Sequence, residues 1–232
     1  MLGHRGARHS APENTLRAFE LAQREGADGI ELDVRLDGDG RVIVLHDRTL
    51  ERVSGGSETR DVEELGAAEL AQVSLGGERV PLLADVLAWA REKQTRVNVE
   101  LKSDVSRPFS LLDGVRRVVS ASGSAADQVL FSSFAPTFVA ALAVSCPSLP
   151  RAFLIDSGSR FLRRAPGWRL FAHGVNPRAA LVTAERMANW RRQGALVSTW
   201  TVNDPVEAAR LAELGVDAII SDEPGKILRA LG

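Results

Sequence analysis

Tyrosine is absent from this chain, and cysteine, methionine and lysine are scarce, with one, two and three residues among 232. The single cysteine, Cys146, excludes an intrachain disulfide and a cysteine-based metal site. No apolar run approaches the roughly 20 residues that span a bilayer, so we expect no membrane insertion. We also expect no signal peptide, because the first polar motif already includes His4, and we therefore expect a cytoplasmic protein.

The chain also lacks an excess of charge of either sign. Its 29 basic and 30 acidic residues give a net charge of −1, so we expect no nucleic acid and no membrane surface as a partner. The basic residues are almost all arginine. This scarcity of lysine marks Lys102, which belongs to an apolar strand-like run, as a candidate functional residue.

Length and composition predict a globular protein. A chain of 232 residues fits one domain of the (β/α)₈ size, or two small ones. Hydrophobic residues make up 44% and charged residues 25%, which is typical of a globular fold. Internal repeats, low-complexity tracts and interdomain linkers are absent from the sequence, so we predict a single domain over residues 1–232.

Runs rich in Val, Ile and Leu alternate with helical patterns, which predicts a parallel sheet with crossover helices. The predicted strands are 2–5, 29–36, 41–46, 96–101, 128–132, 151–155, 169–175, 196–201 and 217–221. The predicted helices are 14–25, 82–93, 108–121, 136–145, 183–193 and 205–214, with a short one closing the chain. Nine strands are one more than an eight-stranded barrel contains.

A β-hairpin explains the extra strand. Only residues 37–40, Asp-Gly-Asp-Gly, separate the run 29–36 from the run 41–46. A parallel crossover needs about a dozen residues or more, whereas Asp-Gly favours a tight hairpin turn. We therefore predict an α/β fold, a single (β/α)₈ TIM barrel with a β-hairpin and a loop excursion after the second strand.

The hairpin predicts a register as well as a direction. With the turn centred between its two middle residues, Glu31 lies opposite His46 and Asp33 lies opposite Val44. This register delivers His46 to the same end and the same face as the two carboxylates. Residues 48–80 have little periodicity, and we predict that they form the excursion beside the site.

Charged residues occur two positions apart on two predicted strands, so each pair points to one face. Glu31 and Asp33 would repel each other on a packed strand unless a cation or a proton lay between them; the alternative is an exposed edge strand. Glu100 and Lys102 repeat the spacing, with a structural ion pair inside the barrel as the alternative. Three carboxylates suit a hard cation such as Mg²⁺ or Ca²⁺ better than zinc.

Two histidines lie beside polar residues, His4 next to Arg5 and His46 next to Asp47. Imidazole titrates near neutral pH, which makes both of them candidates for general acid and general base. The alternative is a histidine satisfied within the core. Arg5 offers a guanidinium fork for phosphate oxygens, and Lys102 adds a point charge at the same end.

Other polar residues are predicted to be structural. His9 and His173 belong to no motif and are expected at the surface or behind the site. Residues 13–15, Glu-Asn-Thr, are typical of a helix N-terminus and are expected to buttress the loop after the first strand, outside the site itself. Ser132 and Ser133 lack the surroundings of a nucleophile elbow and are expected to shape the barrel mouth.

The motifs follow one another from the first residues nearly to the last. They are His4-Arg5-Gly6, Pro12-Glu13-Asn14-Thr15, Glu31-Leu32-Asp33-Val34, His46-Asp47, Glu100-Leu101-Lys102, Phe131-Ser132-Ser133-Phe134, Trp200-Thr201-Val202-Asn203, and Gly215-Val216-Asp217 through Ser221-Asp222. Each is weak alone, but the ordered series resembles the glycerophosphodiester phosphodiesterase family of the bacterial cytosolic type.

The resemblance implies an enzyme that hydrolyses glycerophosphodiesters to sn-glycerol 3-phosphate and an alcohol. It implies one divalent cation, Mg²⁺ or Ca²⁺, held by Glu31, Asp33 and Glu100. It also makes His4 and His46 the general acid–base pair of that reaction. Whether water or the glycerol 2-hydroxyl attacks first stays open, as does the choice of which histidine is the acid.

The remaining site residues follow from the same resemblance. Arg5 and Lys102 complete the catalytic set by offsetting charge that develops on the phosphoryl group. Trp200 and Phe134 are predicted to bind substrate, with Trp200 as an apolar wall for the glycerol moiety; core packing is the alternative for Trp200. We expect a small-molecule substrate and either a monomer or a homodimer.

Two rival functions stay open. A lysophospholipase D-type activity would use the same site but would need an apolar path for an acyl chain, and the polar, glycine-rich segment 48–80 argues against one. A polyol-phosphate-binding barrel without catalysis is the other rival. Both histidines and all three carboxylates argue against it, because a binding protein needs no proton-transfer pair.

Overall fold

The computed structural model describes residues 1–157 and 168–232, apart from the side chains of residues 124–126 and 168. The described residues form nine strands. These are β1 (Leu2–His4), β2 (Gly29–Leu36), β3 (Val42–Val44), β4 (Arg96–Leu101), β5 (Val129–Ser133), β6 (Arg151–Ile155), β7 (Gly174–Pro177), β8 (Leu196–Thr199) and β9 (Ala218–Ser221).

Eight of these strands run parallel and close into a barrel, which confirms the predicted fold. Around the barrel the order is β1, β2, β4, β5, β6, β7, β8 and β9. Closure is made by β1, where Leu2 pairs with Gly29 on one side and with Ile220 on the other. Because side chains alternate along a strand, Ile30 and Leu32 of β2 pack in the main hydrophobic core beneath the helices, while the residues between them face inward.

Eight α-helices of the described residues connect the strands or close the chain, and they pack around the barrel. They are α1 (Leu16–Arg24), α2 (Ala67–Leu70), α3 (Leu83–Lys93), α4 (Pro108–Ala121), α5 (Pro136–Ser145), α6 (Ala184–Arg192), α7 (Pro205–Glu213) and α8 (Pro224–Leu231). Four of them, α4, α5, α7 and α8, begin with proline, which suits the first helical position. Among the described helices, none combines the length and the hydropathy needed to cross a membrane.

The hairpin is present, but its predicted register is wrong by one residue. Strand β3 runs antiparallel to β2, as predicted, with Val44 opposite Val34 and not opposite Asp33. The reason lies in the turn, where the Asp37 N–H donates to the Arg41 carbonyl at 3.0 Å. This bond centres the turn on a single residue, whereas the prediction centred it between two.

The shift changes how His46 reaches the barrel mouth. In the observed register a longer β3 would place His46 opposite Leu32, on the helix-facing side, so the predicted pairing with Glu31 is wrong. The strand instead ends at Val44. The Leu45 N–H still donates to the Asp33 carbonyl at 3.0 Å, and after Leu45 the chain leaves the sheet. The Arg35 guanidinium then donates from Nε to the His46 carbonyl at 2.9 Å and holds the new path.

The excursion over residues 48–80 is more ordered than its weak periodicity predicts. It contains a 3₁₀ turn (Val62–Glu64) and the short helix α2. Its apolar side chains turn inward and form a small core with those of β3. This cluster consists of Ile43, Leu45, Leu50, Val62, Leu65, Leu70, Val73 and Leu75.

Strand β7 differs most from its prediction. The run 169–175 was predicted as a strand, but the strand spans Gly174–Pro177 and a 3₁₀ turn covers Trp168–Leu170. Glycine and proline usually punctuate strands, whereas here they are the first and last residues of β7. Here Gly174 is needed by packing, because a Cβ at this position would lie 2.5 Å from the Leu196 carbonyl oxygen on β8.

Candidate active site

A cavity opens at the C-terminal ends of the barrel strands, where the sequence predicted the functional residues. Eight of the nine predicted site residues line it: His4, Arg5, Glu31, His46, Glu100, Lys102, Phe134 and Trp200. The ninth, Asp33, is almost fully buried and contacts the lining residues Arg5 and Lys102. The other lining residues are Asn98, Leu154 and Ile220. The structure therefore brings together residues from both ends of the chain.

The three carboxylates converge. Glu31, Asp33 and Glu100 each offer an oxygen, and these oxygens lie within 4.8 Å of one another. Two ligands on opposite sides of one divalent cation are separated by about 4–5 Å, so the spacing fits a shared ion. The alternative of an exposed edge strand is excluded, because every residue of β2 is buried.

The three carboxyl groups of the triad differ in pKa because burial, mutual repulsion and nearby cations act on each of them to a different extent. Burial and the neighbouring Asp33 and Glu100 raise the pKa of Glu31 well above its ordinary value. Burial and Asp33 also raise the pKa of Glu100, to about 7, although Lys102 opposes the shift. Burial would raise the pKa of Asp33 too, but Lys102 and Arg5 outweigh it and hold that pKa at about 2. Without a bound cation, protons on Glu31 and Glu100 therefore offset part of the negative charge of the triad.

Asp33 is the centre of the charged contacts. Lys102 Nζ lies 2.9 Å from Glu100 and 3.5 Å from Asp33, while Arg5 Nε lies 3.2 Å from Asp33. The Asn14 amide donates to Asp33 Oδ2 at 3.0 Å. Glu100 and Lys102 therefore form the ion pair that was the alternative to a functional role, but both residues line the cavity. Asp33 Oδ1 accepts no hydrogen bond among the described residues, although the 3.5 Å ion pair with Lys102 is made to this oxygen.

A strained turn sets the geometry of Arg5. Arg5 and Asn14 both have positive φ, 54° and 56°, in the left-handed region that few side chains adopt. The Asn14 N–H donates to the Arg5 carbonyl, and the Arg5 N–H donates to Glu31 Oε2 at 3.1 Å. Such strain persists only where the surroundings over-determine it, and here it aims a main-chain donor at the triad.

Each cavity histidine is held by an aspartate through Nδ1. His4 Nδ1 lies 2.6 Å from Asp222 Oδ1, and His46 Nδ1 lies 2.6 Å from Asp47 Oδ1. A carboxylate accepts only, so Nδ1 carries the hydrogen and Nε2 is left for the cavity. Burial lowers the pKa of His46, against the opposing pull of Asp33.

The two aspartates are tied to one glutamate. Arg8 lies 3.5 Å from both Asp222 and Glu13, and Arg52 Nε donates to Asp47 at 2.6 Å. Arg52 also donates to Glu13 at 2.7 Å. Glu13 therefore links both histidine–aspartate pairs, and it also accepts from Arg5 at 3.0 Å.

The sequence did not predict that Glu13 and the two arginines support the histidine–aspartate pairs. Residues 13–15 were expected to lie outside the site. Thr15 does cap α1, because its hydroxyl accepts from the Ala18 N–H at 3.2 Å. Glu13 and Asn14, however, contact the site residues Arg5 and Asp33. The signal for Asp222 was the motif at residues 221–222, which ends β9 at the barrel mouth. No local signal marks Arg8 or Arg52.

The other two histidines lie at the surface, whereas the two aromatic residues Phe134 and Trp200 line the cavity. His9 and His173 are exposed, and His173 precedes β7 at the opposite end of the barrel. Phe134 and Trp200 meet edge to face with ring centroids 5.6 Å apart, which gives the cavity an apolar wall. Trp200 Nε1 donates to the Asn176 carbonyl at 2.7 Å.

Fold and site together define a barrel enzyme whose charged mouth suits a phosphate ester. Its acidic triad, paired imidazoles and basic residues lie at the end of the barrel where enzymes of this fold bind substrate. Residues 4–226 match the model of the Glycerophosphoryl diester phosphodiesterase family. The chain belongs to this family, as its motifs indicated.

Individual relatives agree with the family. The chain is 31% identical over 242 residues to a glycerophosphodiester phosphodiesterase of Bacillus altitudinis, covering 99% of this chain and 96% of that protein. It is 28% identical to one of Caldanaerobacter subterraneus, covering 98% and 96%. An Oleispira antarctica phosphodiesterase, solved in complex with the product sn-glycerol-3-phosphate, superposes with a TM-score of 0.89 at 26% identity, covering 99% and 95%.

Proposed function

We propose that this enzyme hydrolyses glycerophosphodiesters to sn-glycerol 3-phosphate and an alcohol, using one divalent cation and two histidines. The observation that carries the proposal is the buried triad of Glu31, Asp33 and Glu100 between two histidine–aspartate pairs. The family supports the reaction, and the Oleispira antarctica neighbour supports the product.

The triad fits a hard divalent cation, Mg²⁺ or Ca²⁺. The three carboxylates are buried, and the pKa values of Glu31 and Glu100 are raised. Asp33 Oδ1 accepts no hydrogen bond among the described residues, and its contact with Lys102 Nζ is an ion pair at 3.5 Å. A cation at Glu31, Asp33 and Glu100 would satisfy that oxygen and displace the protons. When bound, it supplies Lewis-acid stabilisation of charge on the phosphoryl oxygens.

The histidines move the protons. Because Nδ1 of His4 and of His46 faces an aspartate, each ring can exchange a proton only through Nε2. One histidine takes the proton of the attacking oxygen, and the other protonates the departing alkoxide. A lowered pKa of His46 favours its neutral form, which can accept a proton.

Arg5 and Lys102 bind and orient the phosphoryl group. Both lie against Asp33, which keeps them charged and in place; burial alone would lower the pKa of either, but the surrounding carboxylates raise it. They offset the negative charge that grows on the phosphoryl oxygens in the transition state. Trp200 and Phe134 form the wall against which the apolar face of glycerol lies.

The excursion argues against a lysophospholipid as the substrate. Its apolar side chains, such as Leu50 and Leu75, are buried in the small core with β3 and offer no path for an acyl chain. We therefore place the activity on water-soluble diesters such as glycerophosphocholine, with lysophospholipase D activity as a test outcome.

The first prediction tests this reaction directly. With Mg²⁺ or Ca²⁺ added, the enzyme is expected to release sn-glycerol 3-phosphate from glycerophosphocholine, and a chelator is expected to abolish the release. Product is measured by a coupled glycerol-3-phosphate assay. Lysophosphatidylcholine under the same conditions serves as the comparison. Turnover of the lysophospholipid alone, or activity that a chelator leaves unchanged, would contradict the proposal.

A second prediction concerns cation binding and pH. Between the ordinary pKa of a glutamate, 4.5, and the value of about 7 at Glu100, the folded cation-free protein holds a proton that the unfolded chain has released. Its stability therefore falls as the pH rises through that window. A cation takes the place of the proton, so the rise in Tm on adding Mg²⁺ should be about 5 °C or more larger near pH 8 than near pH 5.

Differential scanning calorimetry with and without Mg²⁺ at both pH values measures this difference. The Glu100→Gln variant is the control, because it removes the carboxyl group that titrates near neutral pH. Its cation response should be smaller and less dependent on pH. An equal rise in Tm of the unaltered protein at both pH values would show that no buried proton competes with the cation.

A further inference from the structure

Arg52 belongs to the excursion, outside the strands that carry the site, and takes no part in the chemistry described above. Its neighbours Leu50 and Val53 pack in the small core with β3, so the backbone that carries Arg52 is fixed. The Arg52 side chain leaves this core and is about half exposed. It ends at two carboxylates, Asp47 and Glu13, which belong to separate parts of the chain.

The guanidinium of Arg52 uses all three of its nitrogens on these two carboxylates. Nε donates to Asp47 Oδ2 at 2.6 Å, while Nη1 and Nη2 donate to the two oxygens of Glu13 at 3.0 and 2.7 Å. A planar fork that binds two carboxylates at once fixes their relative position, which a single flexible ion pair does not. Glu13 is the firmer end, because its side chain is only 8% exposed and also accepts from Arg5.

The contact with Asp47 matters because few other contacts orient the His46 ring. His46 lies past the end of β3, so no strand fixes its side chain. Its Nδ1 faces Asp47 Oδ1, and among the described residues the Asp47 carboxylate has one other side-chain partner, Arg52. The contact with Arg35 holds only the His46 carbonyl. The direction of His46 Nε2 therefore depends on Arg52.

The other histidine of the site does not depend on the excursion. Asp222, which holds His4, accepts from the Asn203 amide at 2.7 Å, and its own N–H donates to Asn203 Oδ1 at 2.9 Å. Asn203 follows β8 and Asp222 follows β9, so both belong to the barrel. Arg8 contacts Asp222 only as an ion pair at 3.5 Å. The barrel therefore supports one histidine, and the excursion supports the other.

We propose that Arg52 is a positioning residue, which joins Asp47 to Glu13 and so holds His46 Nε2 in the cavity. The inference rests on the proposed function, and it gives the excursion a part in that function. A half-exposed ion pair contributes little to stability, whereas a misplaced proton-transfer group lowers the rate strongly. Loss of the Arg52 guanidinium should therefore lower kcat and leave Tm nearly unchanged.

Steady-state kinetics of Arg52→Met on glycerophosphocholine, with Mg²⁺ present, measures this loss. Methionine keeps most of the aliphatic stem and removes the guanidinium. We expect kcat to fall by about 10- to 100-fold, with KM nearly unchanged because Arg5 and Lys102 still bind the phosphoryl group. Arg52→Gln provides a second variant if Arg52→Met does not fold, since its shorter amide cannot join both carboxylates.

Arg48→Met is the matched control. Arg48 lies on the same excursion, its side chain is likewise about half exposed, and its Nε donates to an aspartate, Asp61. The described cavity lining includes neither of these two residues. Its replacement should change Tm about as little as Arg52→Met does, and should leave kcat unaltered. An equal loss of kcat in both variants would show that the rate follows the order of the whole excursion, and would overturn the assignment to Arg52.

A double-mutant cycle tests whether Arg52 acts through Asp47. The Asp47→Ala enzyme keeps His46 but lacks the carboxylate that Arg52 contacts, so adding Arg52→Met should lower kcat no further. Losses that multiply in the double variant, or a normal kcat in Arg52→Met alone, would overturn the inference. Failure of the unaltered enzyme to hydrolyse glycerophosphocholine would instead overturn the proposed function, so the two failures are distinguishable.

Discussion

Replacing either cavity histidine by alanine is expected to lower kcat for glycerophosphocholine by roughly 10²- to 10⁴-fold, the usual contribution of general acid–base catalysis. His4 and His46 each present Nε2 to the cavity while an aspartate holds Nδ1. Neither ring belongs to the hydrophobic core clusters, so both variants should fold. Steady-state kinetics at saturating cation measures the loss, and the Tm of each variant shows that folding survives.

His173→Ala is the control for these variants. His173 is exposed at the opposite end of the barrel, just before β7. Loss of an imidazole there should leave kcat nearly unchanged. If His173→Ala proved as damaging as the other two, the assignment of the proton-transfer pair would be wrong. A histidine variant with normal kcat but raised KM would indicate a binding role instead.

The strands that position the triad could be predicted because their sequence signal is local. The run from Gly29 to Leu36 is apolar at every second position and carries Glu31 and Asp33 between, and β2 has the predicted bounds. Strand β4 likewise places Glu100 where the alternation requires. Since the C-terminal ends of parallel strands share one end of a barrel, the meeting of these carboxylates followed from the topology.

The path of His46 could not be predicted in the same way. The apolar run within residues 41–46 favours a continuous strand, but one residue more in the turn reverses which face each side chain takes. The end of β3 at Val44 depends on Arg35, whose guanidinium reaches both the His46 carbonyl and Asp104. The contact between Arg35 and Asp104 joins residues 69 positions apart, and no local sequence pattern predicts it.

The residues that support the two histidines could not be predicted either, because their partners are distant in the sequence. Asp222 lies 218 positions from His4, and Arg52 lies 39 positions from Glu13. Each residue has an ordinary local interpretation, as a strand end, a surface arginine or a helix-capping acid. Only closure of the barrel, which brings β9 beside β1, makes Asp222 a partner of the first histidine.

The other large effect is expected from Asp33→Asn, which keeps the shape of the side chain and removes its charge. Because the pKa of Asp33 is about 2, its carboxylate is ionised at all working pH values, and it is the group that both Lys102 and Arg5 contact. Without it those two cations would repel a divalent ion instead of sharing a carboxylate with it. Activity at a fixed Mg²⁺ concentration should fall by roughly 10²- to 10³-fold.

The dependence on cation concentration separates this cause from a loss of folding. In Asp33→Asn, raising Mg²⁺ should recover part of the activity, because Glu31 and Glu100 still offer two carboxylates. Asp37→Asn is the matched control: Asp37 is fully buried just beyond the same strand, but it accepts from Arg41, away from the cavity. That change should lower Tm and leave the Mg²⁺ dependence of the rate unaltered. An Asp33→Asn enzyme with the normal Mg²⁺ dependence would mean that the cation is held elsewhere, and that the buried triad serves only to anchor Arg5 and Lys102.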